Sequence, residues 1–358
     1  MTAKIVDEIV NIDDIDIFKE IFEKIDKKFI KSIVSIVNVL NIFDDDKKVV
    51  YKDFLIMTKY STFAYGEQIC EMLSLKHDPF KPQIIPFLND MKIVQIDYGL
   101  NFILILTSNG NVYLVGDFDD DDDDDNVCDT EKKFKLITIN DNNDDNHFKM
   151  IACARWNFLL LRQDGKVFKN IVSSVSNENS FYRIEPVDGL EEVEFIACGE
   201  HHYLALTNEQ KLYSWGQNNN GQLGHDDRSN VKKPKLFSLS NESNQKSRIK
   251  NIATGRYFSL FLLTNDNLFF CGEDLKKVIQ YKGIHAPKRI LNDVEKIVTS
   301  KLSKFVLAYG KKSSSSSSYH VLGKINENHW PLFTELDNES KSSVDTVVEY
   351  LSFPYEFY

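Results

Sequence analysis

The stretch KLYSWGQNNNGQLGHDD, residues 211–227, places three glycines, Gly216, Gly221 and Gly224, around three consecutive asparagines. Glycine adopts backbone conformations that other residues rarely adopt, and an Asn-Gly pair favours a tight turn. A run of strand-forming residues, LYSW, comes directly before the glycines. The stretch therefore predicts a strand that ends in a compact loop.

Three segments of the chain align with one another without gaps. They are IVQIDYGLNFILILTSNGNVYLVG from Ile93, VEFIACGEHHYLALTNEQKLYSWG from Val193 and IKNIATGRYFSLFLLTNDNLFFCG from Ile249. Each segment carries two glycines 17 residues apart, namely Gly99 and Gly116, Gly199 and Gly216, and Gly255 and Gly272. Self-similarity of this kind indicates a repeat architecture, in which each repeat is one small structural unit.

Three weaker copies bring the number of visible units to six. Their glycine places hold Ile36 and Asp53, Ala154 and Ile171, and Ser300 and Gly323. In each unit an apolar run meets a turn such as SNGN or QDGK and then a second run rich in Val, Tyr and Phe, which predicts a β-hairpin.

A lone small sheet cannot bury both of its faces, so consecutive units must stack, and about four to eight units closed in a ring form a propeller. We predict an all-β fold, a seven-bladed β-propeller of four-stranded antiparallel blades over residues 30–358, with the seventh blade drawn from both chain ends. Residues 1–29 are predicted to form a short helix or part of that ring-closing blade. An open array with a helical cap is the alternative, because DDIDIFKEIFEKIDKKF also has apolar residues at helical spacing.

Three low-complexity segments interrupt the strand pattern, at residues 117–126, 140–146 and 312–318. The first contains seven consecutive aspartates and the last contains six serines. Such segments lack the apolar residues needed to join a core, so we predict mobile loops there.

Composition narrows the class of partner. The chain has 43 Lys and Arg against 54 Asp and Glu, and its net charge of −11 opposes binding to nucleic-acid phosphates or to anionic membranes. Five cysteines, none in a Cys-x-x-Cys pair, suggest neither a zinc site nor a disulfide framework. We expect a monomer of the cytosol or nucleus that binds a protein partner and uses no cofactor or metal.

Motifs of common enzyme classes are absent from the sequence. It contains no phosphate-binding loop, no Gly-x-Gly-x-x-Gly and no His-Glu-x-x-His. We therefore expect a protein that is not an enzyme.

The segment CGEHHYLALT, residues 198–207, followed by LYSWGQNNNGQLGHDD, residues 212–227, resembles the repeat of the regulator of chromosome condensation (RCC1) family. A degenerate trace from Tyr65 places Gly66 and Leu73 where the full motif has Gly216 and Leu223. The family fold is a seven-bladed β-propeller, and the resemblance implies a structural role for the motif residues. These are Gly99, Gly116, Gly199, His202, Trp215, Gly216, Gly221, Gln222, Leu223, Gly224, Gly255 and Gly272.

The family's best-known member promotes nucleotide release from the small GTPase Ran, so the resemblance implies protein binding. In such exchange factors the residue two places after the first repeat glycine lies on the face that meets the GTPase, and Asp and His are important there. The equivalent places in this chain hold Asn38, Asn101, Trp156, His201, Tyr257 and Leu302. Only His201 matches, and none is an aspartate.

Arginines precede the two aromatic residues of this set, and aromatic residues and arginine dominate the energetics of protein interfaces. The predicted partner-binding residues are Asn101, Arg155, Trp156, His201, Arg256 and Tyr257. The alternative is that Trp156 and Tyr257 only pack at the rim and that His201 and His202 are structural, with His202 bonding within its own blade.

We predict a non-catalytic propeller that acts as a regulatory or recognition module. Its partner would be a small GTPase or a component of the ubiquitin pathway. The alternative function is guanine-nucleotide exchange on a Ran-like small GTPase.

Overall fold

The computed structural model describes residues 4–5, 8–9, 25–39, 53–78, 80–116, 133–139, 146–172, 182–239, 247–273, 284–299, 305–311, 317–325 and 328–335. The seven-aspartate run, residues 140–145, the first four serines of the serine run and residues 336–358 lie outside them. The last two serines, Ser317 and Ser318, belong to a strand.

The chain divides into two compact units. Unit 1 comprises residues 1–151, 171–183 and 352–358, and unit 2 comprises residues 152–170 and 184–351.

Unit 1 contains two four-stranded antiparallel sheets, a two-stranded sheet and short helices. The two-stranded sheet pairs β1 (Lys4–Ile5) with β2 (Glu8–Ile9). The first four-stranded sheet consists of β3 (Ile33–Val39), β4 (Asp53–Thr58), β5 (Thr62–Tyr65) and β6 (Gln83–Ile84). The second consists of β7 (Ile93–Tyr98), β8 (Phe102–Thr107), β9 (Val112–Gly116) and β10 (Lys135–Leu136). The helices are α1 (Lys27–Ile30), α2 (Glu67–Met72) and a 3-10 turn at Pro86–Leu88.

A third four-stranded sheet contains the places where the chain passes from one unit to the other. It consists of β11 (Phe148–Cys153), β12 (Phe158–Arg162), β13 (Val167–Val172) and β14 (Tyr182–Pro186).

Unit 2 contains three further four-stranded sheets. The first consists of β15 (Val193–Cys198), β16 (His202–Thr207), β17 (Leu212–Gly216) and β18 (Val231–Phe237). The second consists of β19 (Ile249–Thr254), β20 (Phe258–Leu263), β21 (Leu268–Gly272) and β22 (Ile284–Leu291). The third consists of β23 (Lys296–Thr299), β24 (Phe305–Lys311), β25 (Ser317–Ile325) and β26 (Asn328–Glu335).

The predicted fold class is confirmed: the chain is all-β, a β-propeller of four-stranded antiparallel blades. The described residues contain six such sheets, each with its strands in chain order. Most of the two chain ends predicted to supply a seventh blade lies outside the described residues.

The position of each strand within its sheet explains its sequence. The second strands have neighbours on both edges and are covered on both faces, so they are apolar on both sides. All six residues of β8, FILILT, are buried, as are the first five of β20, FSLFL. The fourth strands are edges, and some of them hold a proline, such as Pro234 in β18 and Pro287 in β22, which lacks the amide hydrogen that a ladder needs.

The first glycine of each full repeat is required by an aromatic ring. A Cβ atom at Gly99, Gly199 or Gly255 would lie 2.0 Å from a ring atom of the residue three places later, which is Phe102, His202 or Phe258. At the corresponding place in the third sheet the chain has Ala154, followed three residues later by Asn157. Since no ring lies there, the alanine methyl group fits.

The second glycine of each repeat is required by its backbone conformation. Gly66, Gly116, Gly216 and Gly272 have φ angles of +126°, +128°, +109° and +126°. Such angles favour glycine, and a side chain there would also meet backbone atoms, such as the carbonyl oxygen of Asn101 at 2.1 Å from a Cβ on Gly116.

The structure corrects the predicted register of the first repeat. Ile36 lies within β3, opposite Ile56, and Asp53 begins β4, so neither is at a glycine place. The second glycine place belongs to Gly66, as the degenerate trace from Tyr65 predicted. Asn38 pairs with Phe54 inside β3 and so is not in a turn. The misassignment arose because β3, IVSIVNV, is apolar enough to resemble the run that precedes a repeat glycine.

Asp53, which the predicted register placed at the second glycine position, instead holds a helix. Its carboxylate accepts a hydrogen bond of 2.9 Å from the backbone N–H of Ile69, in the first turn of α2. Burial raises the pKa of Asp53 to about 6. The side chain therefore fastens α2 to the first sheet.

Candidate protein-binding site

Three turns of unit 2 meet around one buried carboxylate. Each turn joins the first and second strands of a sheet, and the carboxylate belongs to Glu200, which is 2% exposed. Arg155 donates to Glu200 Oε1 through Nη1 at 2.6 Å, and Arg256 donates to Oε2 through Nε at 2.7 Å. One carboxylate thus bridges arginines from the two neighbouring turns.

Backbone hydrogen bonds reinforce this arrangement. The Arg155 N–H donates to the Glu200 carbonyl at 3.2 Å, and the Glu200 N–H donates to the Arg256 carbonyl at 3.3 Å. The turns are therefore held at fixed positions, which favours a preorganised binding surface.

The protonation of Glu200 is set by two opposing effects. Burial acts to raise its pKa, but hydrogen bonds from Arg256, Tyr257 and Arg155 outweigh burial and leave the pKa below its ordinary value. The group is therefore ionised at neutral pH.

An aromatic ring lies under each arginine. The guanidinium carbon of Arg155 is 5.6 Å from the ring centre of Trp156, and that of Arg256 is 5.1 Å from the ring centre of Tyr257. These are cation–π distances. Trp156 is 46% exposed, so its ring is open to a partner. We call Arg155, Trp156, Glu200, His201, Arg256 and Tyr257 together the turn cluster.

His201 is half-buried beside Glu200. Burial lowers its pKa and the two arginines lower it further, while Glu200 acts in the opposite direction, and the pKa ends below the ordinary value. The imidazole is therefore neutral at pH 7.

The structure brings together five of the six predicted partner-binding residues. Arg155, Trp156, His201, Arg256 and Tyr257 lie in the three turns of unit 2. Asn101 is exposed in the turn between β7 and β8 of unit 1, and Leu302 lies outside the described residues.

Glu200 was not among the predicted site residues, although the alignment of the repeats contained a signal for it. The residue directly after the first repeat glycine, or its replacement, is Arg155, then Glu200, then Arg256 in three successive units. A carboxylate between two arginines at equivalent places indicates an ion-pair network once the units are known to stack.

His202 corrects another expectation, because it bonds to a neighbouring blade and not within its own. Its ring is fully buried, and Nε2 lies 3.0 Å from the hydroxyl of Ser259 in β20. Ser259 also donates to the carbonyl of Gln222 at 2.7 Å. His202 therefore links two sheets of unit 2 and is not available to a partner.

The loop QNNNGQLGHDD, residues 217–227, which follows β17, is held by polar groups of its own and of β17. Asn218 accepts from the Leu223 N–H at 2.9 Å, and Ser214 donates to the Leu223 carbonyl at 2.7 Å. Gln222 and Leu223 are buried, and Trp215 stacks on Tyr203 with ring centres 5.4 Å apart.

Two glycines of this loop have positive φ angles, Gly221 at +81° and Gly224 at +75°. A Cβ on Gly224 would lie 3.1 Å from both Phe237 and Pro287. Glycine at this position therefore lets the loop approach Phe237 of β18 and Pro287 of β22, which belong to two different sheets.

We predict that His202→Phe removes a pH dependence of stability. Burial lowers the pKa of His202 to about 3. As pH falls below about 6.5, His202 therefore becomes protonated in the unfolded chain but stays neutral in the folded chain. At pH 5 this costs wild type about 2 kcal/mol relative to pH 7.5. Phenylalanine fits because Phe102 and Phe258 occupy the same place in other repeats, and Ser259 keeps its bond to Gln222.

Urea unfolding of wild type and His202→Phe at pH 7.5 and pH 5 measures this effect. We expect the stability lost between the two pH values to be about 2 kcal/mol smaller in the variant. Equal losses in the two proteins would contradict the assignment.

Neither a metal site nor a membrane-spanning helix is found in the described part of the chain. No three His, Cys, Asp or Glu side chains there are grouped so as to hold a metal ion. No helix there has the length and apolarity to cross a membrane.

Comparison with known proteins agrees with the repeat pattern. Two models of the regulator of chromosome condensation (RCC1) repeat match, at residues 209–262 and 193–222. The guanine nucleotide exchange factor SRM1 of Saccharomyces cerevisiae is 30% identical over 233 residues, which cover 57% of this chain and 46% of SRM1. Human E3 ubiquitin-protein ligase HERC2 is 29% identical over 126 residues, 34% of this chain and 2% of HERC2. The chain thus spans less than half the length of either relative.

A solved structure agrees with the fold. Prp20p from Saccharomyces cerevisiae, whose structure was described together with its binding to Gsp1p and histones, superposes with a TM-score of 0.60 and 21% identity, over 86% of this chain and 77% of Prp20p. The repeat models match residues 193–262, which hold the strands β15 to β18 and almost all of the first two strands of the next sheet, so the chain is a β-propeller that contains repeats of the regulator of chromosome condensation (RCC1) type.

Proposed function

We propose that this chain is a non-catalytic interaction module that binds a protein partner through the turn cluster. The observation that carries the proposal is the exposed Trp156 ring, paired with Arg155 on turns that a buried carboxylate holds in place. Tryptophan, tyrosine and arginine on a preorganised surface are the residues that dominate binding energy at protein interfaces.

The turn cluster also differs from a catalytic centre. Its one carboxylate has both oxygens engaged by arginines and its pKa is lowered, so it is a poor general base at neutral pH. Among the described residues, no nucleophilic side chain is hydrogen-bonded to the neutral imidazole of His201. The arrangement is suited to recognition.

Localisation in the cytosol or nucleus and a monomeric state stay predictions.

We predict that Trp156→Ala combined with Tyr257→Ala weakens partner binding while the fold survives. The purified chain serves as bait, and the retained protein is identified and then measured with wild type and variant. Removing both rings should weaken binding at least about tenfold, since anchor residues of this type each contribute more than about 1 kcal/mol.

The matched control is Tyr60→Ala combined with Phe80→Ala. These two aromatic residues of unit 1 are 62% and 57% exposed, more than Trp156, and lie outside the turn cluster. The control should bind like wild type. Equal retention by the turn-cluster variant and wild type would remove the turn cluster as the interface.

Guanine-nucleotide exchange on a Ran-like small GTPase is the second candidate function. The similarity to SRM1 over 57% of the chain and the presence of His201 at an equivalent turn place favour it. The absence of aspartate from the equivalent turn places weakens it. Release of a labelled nucleotide from a panel of small GTPases tests this function, and the absence of acceleration across the panel would exclude it for those GTPases.

A further inference from the structure

The charge of the turn cluster differs from that of the whole chain. Arg155 and Arg256 supply two positive charges and Glu200 supplies one negative charge, while the lowered pKa of His201 leaves its ring neutral. The turn cluster therefore carries one net positive charge on a chain whose net charge is −11. The turn cluster therefore attracts an acidic ligand, although the chain as a whole carries negative charge.

Arg155 retains hydrogen-bonding capacity that Glu200 does not use. Its side chain is 36% exposed, and among the described residues only Glu200 accepts a hydrogen bond from it, through Nη1. Its Nε also has no hydrogen-bond partner in the described part of the chain, but that atom is buried, so a ligand would bond to the Nη hydrogens that Glu200 leaves free. A guanidinium has five N–H donors in a planar fork that matches a carboxylate.

Trp156 places an apolar surface beside these free donors. Its ring lies under the Arg155 guanidinium at 5.6 Å and is 46% exposed. A ligand that bonds to the exposed guanidinium edge must therefore place its neighbouring group against an indole. This favours a carboxylate next to an apolar side chain over a bare, strongly hydrated anion.

We propose that the turn cluster binds an acidic segment of a protein partner, with an Asp or Glu carboxylate on Arg155 and an adjacent apolar side chain on Trp156. The inference rests on the proposed function and adds the chemistry of the partner to it. Arg256 has the supporting role, because it is only 21% exposed and holds Glu200 from the other side.

The test uses the full chain and a defined probe, the peptide acetyl-Glu-Leu-Glu-Glu-amide. We expect a saturable change in tryptophan fluorescence that is absent in Trp156→Phe, and no change with the peptide in which glutamine replaces each glutamate. Arg155→Gln should weaken the peptide at least tenfold. The control Lys211→Gln removes one positive charge from an exposed ion pair with Glu209, outside the turn cluster, and should change the affinity less than threefold.

Salt dependence supplies a measurement that needs no variant. Binding of the glutamate peptide to wild type should weaken several-fold when the salt concentration is raised tenfold, because a surface ion pair is screened. An affinity that salt leaves unchanged would overturn the proposal, as would equal binding of the glutamine peptide or equal losses in Arg155→Gln and Lys211→Gln. Inorganic phosphate is a further competitor. If phosphate binds more tightly than the glutamate peptide and displaces it, the turn cluster is a simple anion site and the proposal is overturned.

The outcomes also separate this inference from the proposed function. If the aromatic double variant loses the captured partner but the glutamate peptide does not bind wild type, the turn cluster is an interface and the chemistry inferred here is wrong. If the double variant keeps the partner, the proposed function fails.

Discussion

Gly216→Ala is expected to destabilise unit 2 by about 3 kcal/mol or more. Gly216 has a φ of +109°, which an L-residue with a side chain adopts only under strain. A Cβ atom there would also lie 2.5 Å from the carbonyl oxygen of His201 and 2.8 Å from the Cα atom of His202. Both are backbone atoms, so relief requires the β16–β17 pair to move apart. Urea unfolding followed by circular dichroism measures the loss.

Gly189→Ala separates the two causes. Gly189 also has a positive φ, +82°, but a Cβ there meets nothing within 4 Å. The control variant therefore carries only the conformational cost, about 1 kcal/mol. Equal destabilisation by the two alanines would show that the close backbone approach at Gly216 contributes nothing.

The same two glycine places explain why the fold could be predicted from the sequence. A glycine that an aromatic ring requires and a second that the backbone requires recur 17 residues apart, and this spacing fixes the turn and the end of a hairpin in three full repeats. Where the contacts that demand glycine are missing, the signal fades. Ala154 is tolerated because the residue three places later is Asn157 and not an aromatic residue. The register of the first repeat was misassigned at Ile36 and Asp53.

The candidate site was predictable in its members but not in its connections. The turn residues Trp156 and Tyr257 follow from the repeat alignment, because equivalent places lie on the same face of successive blades. The bridging role of Glu200 and the link from His202 to Ser259 depend on which side chains of neighbouring sheets face each other. The 17-residue spacing of glycines within one repeat carries no information about which side chains of neighbouring sheets lie close together.

Glu200→Gln is expected to destabilise the protein by about 3 kcal/mol at pH 7. Glutamine has nearly the same shape, but it removes the negative charge and leaves Arg155 and Arg256 facing each other across a neutral amide. Removing one member of a buried ion pair costs more than the pair contributes, because the remaining charges stay desolvated. Urea unfolding of wild type and variant at pH 7 measures the difference.

The dependence on pH gives the same test a second measurement. The pKa of Glu200 in the folded chain is lowered, so its contribution is complete above the ordinary pKa of a glutamate and is lost as pH falls through the folded value. The stability difference between wild type and Glu200→Gln should therefore shrink as the solution is acidified below about pH 4.5.

Glu209→Gln is the matched control for the buried carboxylate. Glu209 also forms an ion pair, with Lys211 at 2.7 Å, but its side chain is 61% exposed and that of Lys211 is 54% exposed. Water already solvates both groups, so the substitution should leave stability unchanged within error. If Glu209→Gln were as damaging as Glu200→Gln, burial would not be the source of the effect. If neither variant lost stability, the three turns would be held by their backbone hydrogen bonds alone.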